Sequence, residues 1–537
     1  MASVADLTVR MLISAGIGRL YCLPGVQNDD FFDALYPFRD RLAPVHARHE
    51  QGAAYMALGA ALATGRPQAF CVVPGPGFLN ATAALATAQS TNQRVLALTG
   101  EIHSQMKGRR WGMLHEIPDQ FAILSQLTRT AHEITAGEAA ARTLSTVLDA
   151  WQAGLPGPVG LQVPFDLWRA EAPGEIAPPI RARERPDPGL IAEAARALIA
   201  AERPLIWVGG GAQGAAGAVR RLARALSAPV IAFRSGKGVM PADDPLSLNL
   251  LDGHEMWRDA DLVLGLGTRM EPGLRSWGTA GLKILHVDID PAALGRIRRP
   301  DIAIAGDLGD VLPRLLAEIE GREPDRRAWV EAAARARART RSRLAAAVGP
   351  QLEWIGALRR AMPPEAVLVN ELTQIGYVAN LAFPVDAPRS FLSPGYQGTL
   401  GWGIAAGLGA QDALPDRPVV AIAGDGGALF TIAELATAAH HRIPLVVVVF
   451  TDNAFGNVRR FQEDNYGGRT IASDLTSPDF AALAASFGIA GHRAQTPEAL
   501  AAAIAAAIAA RAPALIEVPV GSFPSPWSLI LPGRARG

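Results

Sequence analysis

The sequence predicts an α/β protein of three domains, each built on a doubly wound parallel sheet, and three observations carry that expectation. Its 537 residues suffice for two to four domains, each with its own core. Short β-branched runs alternate with Ala- and Leu-rich stretches of helical period, and the runs end in glycine or polar turns. The clearest such unit spans 419–460, VVAIAGDGGALFTIAELATAAHHRIPLVVVVFTDNAFGNVRR. There a strand pattern ends at Gly424-Asp425-Gly426-Gly427, and a helical pattern then runs to Pro444. A second strand pattern ends at Thr451-Asp452-Asn453-Ala454-Phe455-Gly456. A βαβ unit sets the carboxyl ends of neighbouring strands side by side, where open α/β sheets bind ligands. Asp425 and Asp452 each fall just past such an end, within reach of one ion.

From the start of the chain, 5–15 reads as a helix, 19–23 as a strand, Pro24-Gly25 as a turn and 29–35 as a helix. Residues 42–47 read as a strand running into Arg48-His49-Glu50-Gln51-Gly52, and 53–64 as an Ala- and Gly-rich helix suited to close packing. A strand at 68–73 ends in Pro74-Gly75-Pro76-Gly77, with Asn80 expected to open the next helix. A strand at 95–98 ends at Thr99-Gly100-Glu101. A Pro-rich stretch at 177–188 marks a boundary. Strands at 205–208, 229–232, 262–266 and 284–287 make a second α/β pattern, the first ending in Gly209-Gly210-Gly211. An Arg- and Ala-rich run at 322–343 reads as a solvated helix or linker. The third pattern begins near Leu352, holds the 419–460 unit and ends around 516–520, before a Pro-rich tail expected to wrap an adjacent surface. The expected domains are 1–176, 189–335 and 350–537.

Basic and acidic residues balance at 51 each, so the charge favours neither nucleic acid nor an anionic membrane. No apolar run reaches the ~18 residues of a membrane span, and the N-terminal stretch lacks a signal-peptide core. Only Cys22 and Cys71 occur, which argues against a disulfide framework or a zinc site and for a reducing compartment. A soluble, cytoplasmic protein is expected.

Four motifs stand in order: RHEQGAA (48–54), PGPGFLNA (74–81), GTLGWG (398–403) and the GDGG-to-TDNAFG unit (424–456). Together they resemble the thiamine-diphosphate-dependent decarboxylases and carboligases, the family of acetohydroxyacid synthase, pyruvate decarboxylase and benzaldehyde lyase. The resemblance covers essentially the whole chain. It implies that the three domains are pyrimidine-binding, middle and diphosphate-binding. It also implies thiamine diphosphate as cofactor, together with Mg²⁺, for which Ca²⁺ or Mn²⁺ could stand in. A homodimer or homotetramer is implied, with active sites at the subunit interface.

The chemistry of a diphosphate suits these residues. Its charge calls for backbone N–H donors, which glycine turns at helix N-termini supply, and for a cation held by carboxylate and carbonyl oxygens. By the resemblance Asp425 is the first cation ligand. The second falls 27 positions later at Asp452, where the family commonly has Asn, and Asn453 is the alternative one residue late. The Ala454 carbonyl would be the third. Either Asp alone would pass as a turn former. Gly25, Asn80, Gly424, Gly426, Gly427, Phe455 and Gly456 complete the expected cofactor contacts. Leu400 is expected to wedge under the cofactor, and the Gly398 carbonyl to accept a hydrogen bond from the aminopyrimidine. Glu50 matches the carboxylate that pairs with the pyrimidine ring and so lets the exocyclic nitrogen take the thiazolium proton. Its alternative role is that of an ordinary acidic residue at a helix N-terminus.

On the substrate side, His115 in GMLHEIPDQ falls where acetohydroxyacid synthases and benzaldehyde lyase carry a Gln, and a His there could relay protons. His103 is a second catalytic candidate. His46 and His49 flank Glu50, with His49 expected to be the buried one. Phe461 and Gln397 are expected in the substrate pocket, and Arg109, Arg110, Arg459 and Arg460 are candidates for a substrate carboxylate. The catalytic His-His pair of pyruvate decarboxylases has no counterpart. The middle domain's GKGVMPADDPLSLN and VDIDP resemble flavin-region segments of acetohydroxyacid synthases, but LLDGHEMWRDADLV departs from them, which argues against bound FAD. The expected reaction is decarboxylation of a small-molecule 2-oxo acid and transfer of the acyl carbanion equivalent to an aldehyde or ketone acceptor, as in acetolactate synthase. The alternatives are a simple 2-oxo acid decarboxylase, a flavin-dependent oxidase of the same fold and a non-catalytic paralogue.

Overall fold

A computed structural model of the chain describes residues 2–180, 185–322 and 324–537. Positions 181–184 of the expected linker and 323 of the basic run lie outside them. The first sheet holds β1 (Arg19–Cys22), β2 (Ala43–His46), β3 (Gln68–Val72), β4 (Val95–Glu101), β5 (Thr130–Glu133) and β6 (Val159–Pro164). The second holds β7 (Pro204–Val208), β8 (Val230–Ala232), β9 (Ser247–Leu248), β10 (Leu262–Leu266), β11 (Lys283–Asp288) and β12 (Ile302–Ala305). The third holds β13 (Val367–Asn370), β14 (Phe391–Leu392), β15 (Val419–Gly424), β16 (Val446–Thr451), β17 (Ala490–Arg493) and β18 (Ala514–Pro519). Their strand pairs are parallel throughout, as expected.

The sheets run β2-β1-β3-β4-β6-β5, β12-β11-β10-β7-β8-β9 and β14-β13-β15-β16-β18-β17. Counted within their own domains, the first and third share one order, 2-1-3-4-6-5. The middle sheet runs 3-2-1-4-5-6, the order of dinucleotide-binding folds. Its glycine turn is filled by protein, however. A Cβ on Gly209 would overlap the Gly267 carbonyl, and one on Gly211 would lie 2.8 Å from the Gly267 Cα.

Two helices join the outer domains. Helix Glu50–Thr64 and helix Trp402–Ala413 lie against each other inside one hydrophobic core that runs from the first sheet to the third. The contact is reciprocal. A Cβ on Gly59 would overlap the Ala406 carbonyl oxygen, and one on Gly409 would overlap the Met56 carbonyl oxygen. Backbone cannot retreat from such an overlap as a flexible side chain can. Gly59→Ala and Gly409→Ala should therefore each cost about 1–3 kcal/mol or more, read as a lower urea midpoint. An unchanged midpoint would mean the helices are not in contact.

The basic run is the expected helix, with Arg327, Arg335, Arg339, Arg341 and Arg343 in solvent and one face packed. Helix Arg327–Ala361, interrupted at Val348, buries Trp329, Ala333, Ala336 and Leu344, and it passes through the expected start of the third pattern. Just before it, Arg326 is buried and donates to the carbonyls of Leu198, Ala201 and Leu226. The tail does wrap a neighbour: Ala535 and Arg536 donate their N–H groups to the Trp277 carbonyl of the middle domain. No helix of the described residues is long and apolar enough to cross a membrane.

Candidate active site

The carboxyl ends of β15 and β16 present two carboxylates to one space. Gly424 N-caps helix Asp425–Thr431. Asp425, 1% exposed, accepts from Gly426 N at 2.9 Å through Oδ1, and from Asn453 N at 2.8 Å and Ser477 Oγ at 2.7 Å through Oδ2. Asp452 accepts from Ala454 N at 3.2 Å and from Gln374 Nε2 at 2.6 Å. Burial first, and the nearby Asp425 charge second, push the Asp452 carboxyl above the usual carboxylate range. Two carboxylates that repel each other in a half-buried site form a hard-oxygen donor set short of positive charge, which suits Mg²⁺, Ca²⁺ or Mn²⁺. Asn453 adopts a positive φ of 53°, and an antiparallel bridge pairs Ala454 with Asp474. The bridge bonds, Phe455 N to Ser473 O and Leu475 N to Asn453 O, do not use the Ala454 carbonyl.

The missing side chains of this turn leave room for protein groups. A Cβ on Gly426 would lie 2.7 Å from the Phe455 ring, one on Gly427 would overlap Glu371 Oε1, and one on Gly456 would overlap Asp452 Oδ2. These three make room for protein groups. Only beside Gly424 is the nearest atom, Thr373 Cγ2, at an ordinary 3.5 Å. Glu371, past the end of β13, is fully buried and accepts from Gly403 N at 2.7 Å; burial pushes its pKa up to about 7. Its folded-state proton affinity exceeds the ordinary one, so its charge opposes folding above pH 7 and that cost fades as pH falls toward 4.5. Glu371→Gln should flatten this part of the pH dependence of thermal stability. An unaltered profile would show that Glu371 does not titrate there.

On the other side, Glu50 is the first residue of its helix, and His49 Nδ1 accepts from Gln51 N as the cap. Glu50 Oε2 accepts from Asn80 Nδ2 at 2.9 Å. Asn80 does not open its helix: Pro76–Ser90 begins earlier, and Asn80 sits in its second turn, where it reaches Glu50. A Cβ on Gly25 would lie 2.6 Å from Val73 Cγ1, and one on Gly77 would lie 2.7 Å from Val73 Cγ2 and 3.4 Å from Glu50 Oε1. His115 has φ of 70°, its carbonyl fills the space beside Gly75, and its Nδ1 is buried without a protein partner. Gln120, the last residue of GMLHEIPDQ but not singled out there, accepts from Gly75 N at 2.8 Å and donates to Gly100 O and Gln162 Oε1. Gly75, Asn80, Glu50 and His115 are thus drawn together. His103 caps the turn Ser104–Met106, pairs with Asp166 at 3.7 Å and meets the Phe165 ring edge-on, partners it does not share with Glu50. His49 is exposed and His46 half-buried, the reverse of expectation.

Thr399 Oγ1 hydrogen-bonds Tyr55 of the Glu50 helix at 2.9 Å, which fixes the turn carrying Gly398 (φ 58°) and the half-buried Leu400; Gln397 is exposed. Phe461, 40% exposed, packs on Trp527 of the tail at 5.2 Å. Arg459 is held by Asp474, Arg460 donates to Ser522 Oγ and Phe523 O, and Arg109 donates to Gln105 O and lies over Trp111; these three already have protein partners. Glu434, inside the 424–456 unit but not singled out there, is buried and accepts from the N–H groups of Arg48 and His49 at 3.0–3.2 Å. It lies nine residues after Asp425, about 13 Å along a helical path. Within one chain, then, the start of the Glu50 helix meets the far end of the segment that Asp425 begins.

One parallel-sheet domain offers paired carboxylates at a glycine turn and the other a carboxylate at a helix start, a donor set that suits an enzyme with an anionic cofactor. Three family models match: the thiamine pyrophosphate enzyme N-terminal TPP binding domain at residues 2–123, its central domain at 191–315 and its C-terminal TPP binding domain at 372–518. A probable 2-ketoarginine decarboxylase of Pseudomonas aeruginosa is 32% identical over 507 residues, 91% of this chain and 88% of that protein. The acetolactate synthase isozyme 1 large subunit of Escherichia coli K12 is 29% identical, covering 99% and 96%. A probable acetolactate synthase large subunit of Methanocaldococcus jannaschii is 30% identical, covering 96% and 91%. The chain belongs to the thiamine-diphosphate-dependent 2-oxo acid decarboxylase and carboligase family, with thiamine diphosphate as its cofactor.

Proposed function

We propose that this enzyme decarboxylates a 2-oxo acid and transfers the acyl carbanion equivalent to an aldehyde or ketone. Asp425, Asp452 and the Ala454 carbonyl would hold Mg²⁺ against the cofactor's diphosphate. Thiamine diphosphate, when bound, supplies the nucleophilic carbon and the electron sink for loss of CO₂. Glu50 holds a proton at the carboxyl that Asn80 orients. Leu400 and the Gly398 carbonyl support the cofactor, and Phe461 and Gln397 line the substrate side. His115 carries the reading: its buried, unpartnered Nδ1 sits on a loop seated against the Gly75 turn, free to exchange a proton with a bound carbonyl compound. His103, tied to Asp166, serves as a more distant proton carrier in this scheme.

The site is completed by a second copy of the chain, in a dimer or tetramer. In support, Glu50 lies by the Glu434 end of its own third domain, and Tyr396, Leu429 and Phe430 are 61%, 39% and 55% exposed, apolar surface for a partner to cover. We place the enzyme in the cytoplasm, in keeping with two free, buried cysteines. The similarity to a probable 2-ketoarginine decarboxylase of Pseudomonas favours a second reading, release of an aldehyde with no acceptor.

A panel of 2-oxo acids, including one with a guanidinium side chain, decides between the two. With an added aldehyde or ketone, CO₂ release should be matched by a carboligated product. Release matched by free aldehyde under every condition would overturn carboligation. His115→Asn, chosen because Asn tolerates the left-handed backbone, should lower carboligation about 10²-fold or more. If it does not, His115 moves no proton.

A further inference from the structure

We propose that His46, His440 and His441 form a binding site for a transition-metal ion of the Zn²⁺ type, which staples the first and third domains of one chain together. His46 is the last residue of β2, and His440 and His441 end helix Leu435–His441. Their ring centroids form a closed triangle with sides of 4.7, 4.8 and 4.8 Å, each pair edge to face. One ligand nitrogen from each ring lies within 4.8 Å of the others. Among the described residues no other three His, Cys, Asp or Glu side chains form such a group. The His441 Nε2 is buried with no protein partner.

Three imidazoles crowded at a domain seam need a reason, because neutral rings offer each other little beyond packing and a buried nitrogen without a partner is costly. A metal ion supplies the missing partner. Burial, with the neighbouring rings, draws the His441 pKa down to about 4, and burial with Arg48 and His440 lowers that of His46. Both rings therefore carry the free lone pair that a metal needs at neutral pH. The charged neighbour is Arg48, a cation, so nothing here attracts an ion by charge alone. Mg²⁺ and Ca²⁺ prefer oxygen and are disfavoured, whereas Zn²⁺, Co²⁺, Ni²⁺ and Cu²⁺ accept imidazole. Zn–N bonds of about 2.0–2.1 Å need nitrogens roughly 3.4 Å apart, so the rings must close by about an ångström, leaving a fourth position for water. The ion would sit on the seam that Glu434 already ties through Arg48 and His49.

The test uses full-length protein without a histidine tag, loaded with thiamine diphosphate and Mg²⁺, and titrated with Co²⁺. One Co²⁺ per chain should bind with the intense visible bands of tetrahedral coordination, be displaced by Zn²⁺ and raise the melting temperature. His46→Ala and His441→Ala should each weaken binding at least 100-fold while folding as wild type by circular dichroism. Co²⁺ in the Mg²⁺ site would instead give the pale spectrum of oxygen coordination. Absence of a stoichiometric tetrahedral spectrum in the wild type, or wild-type affinity in either variant, overturns the site; the wild-type spectrum needs no variant to fold.

Discussion

Glu50→Gln should lower kcat by about 10²–10⁴-fold on every 2-oxo acid turned over, with fold and cofactor retention unchanged. The replacement keeps the shape of the side chain and leaves an oxygen to accept the Asn80 bond. The supports of the helix start, His49 on Gln51 and Glu434 on the N–H groups of Arg48 and His49, are also untouched. Only the ability to hold and release a proton is lost. Steady-state rates, cofactor binding by fluorescence quenching and far-ultraviolet circular dichroism together separate this from misfolding. Near wild-type kcat would remove Glu50 from the chemistry. Asn80→Ala, which removes the hydrogen bond to Glu50 and keeps its carboxyl, should cost less.

The second large effect belongs to the paired aspartates. Asp425→Ala strips the acceptor from Gly426 N, Asn453 N and Ser477 Oγ at once and removes a cation ligand. Cofactor retention should become undetectable at any Mg²⁺ concentration that saturates the wild type. Asp452→Asn should be milder for turnover but diagnostic for pH. The Asp452 carboxyl binds its proton more tightly folded than at the ordinary value of 3.8, so in metal-free protein its charge opposes folding above the raised pKa. That cost fades as pH falls through the raised pKa toward 3.8. Stabilisation by Mg²⁺ should therefore grow with pH across this window in the wild type and be flatter in Asp452→Asn. Equal Mg²⁺-dependent shifts in melting temperature at all pH values, in both proteins, would separate Asp452 from the metal.

Strands bounded by glycine or polar turns, such as β3, β15 and β16, were legible because β-branched runs and turn residues are local signals. The strands that escaped are β6, a buried VGLQVP run that nothing in the reading marked, and five at sheet edges: β5 (TAHE), β12 (IAIA), β17 (AGHR), and β9 and β14 with two residues each. At such edges pairing depends on the neighbouring strand more than on side-chain pattern. The same division holds in the site. Asp425, Asp452 and Glu50 are charges placed at turns. Glu371, Glu434, Gln374 and Gln120 act through contacts that lie up to 386 positions away, for which no spacing rule exists. Glycine motifs carry only part of this. They announce a missing side chain without saying who uses the space, and beside Gly427 the user is Glu371.

The seam at Gly59 and Gly409 sets how the molecule can move. Carbonyl groups of each helix rest in the notch left by the other's glycine, at both ends of one contact. Sliding or hinging there would drive backbone into backbone, so the first and third domains of one chain travel as a rigid body. Admission of substrate must then fall to the segments hung outside that body. These are the loop carrying exposed Trp111 and Leu114, and helix Gly456–Asn465, none of whose residues is buried.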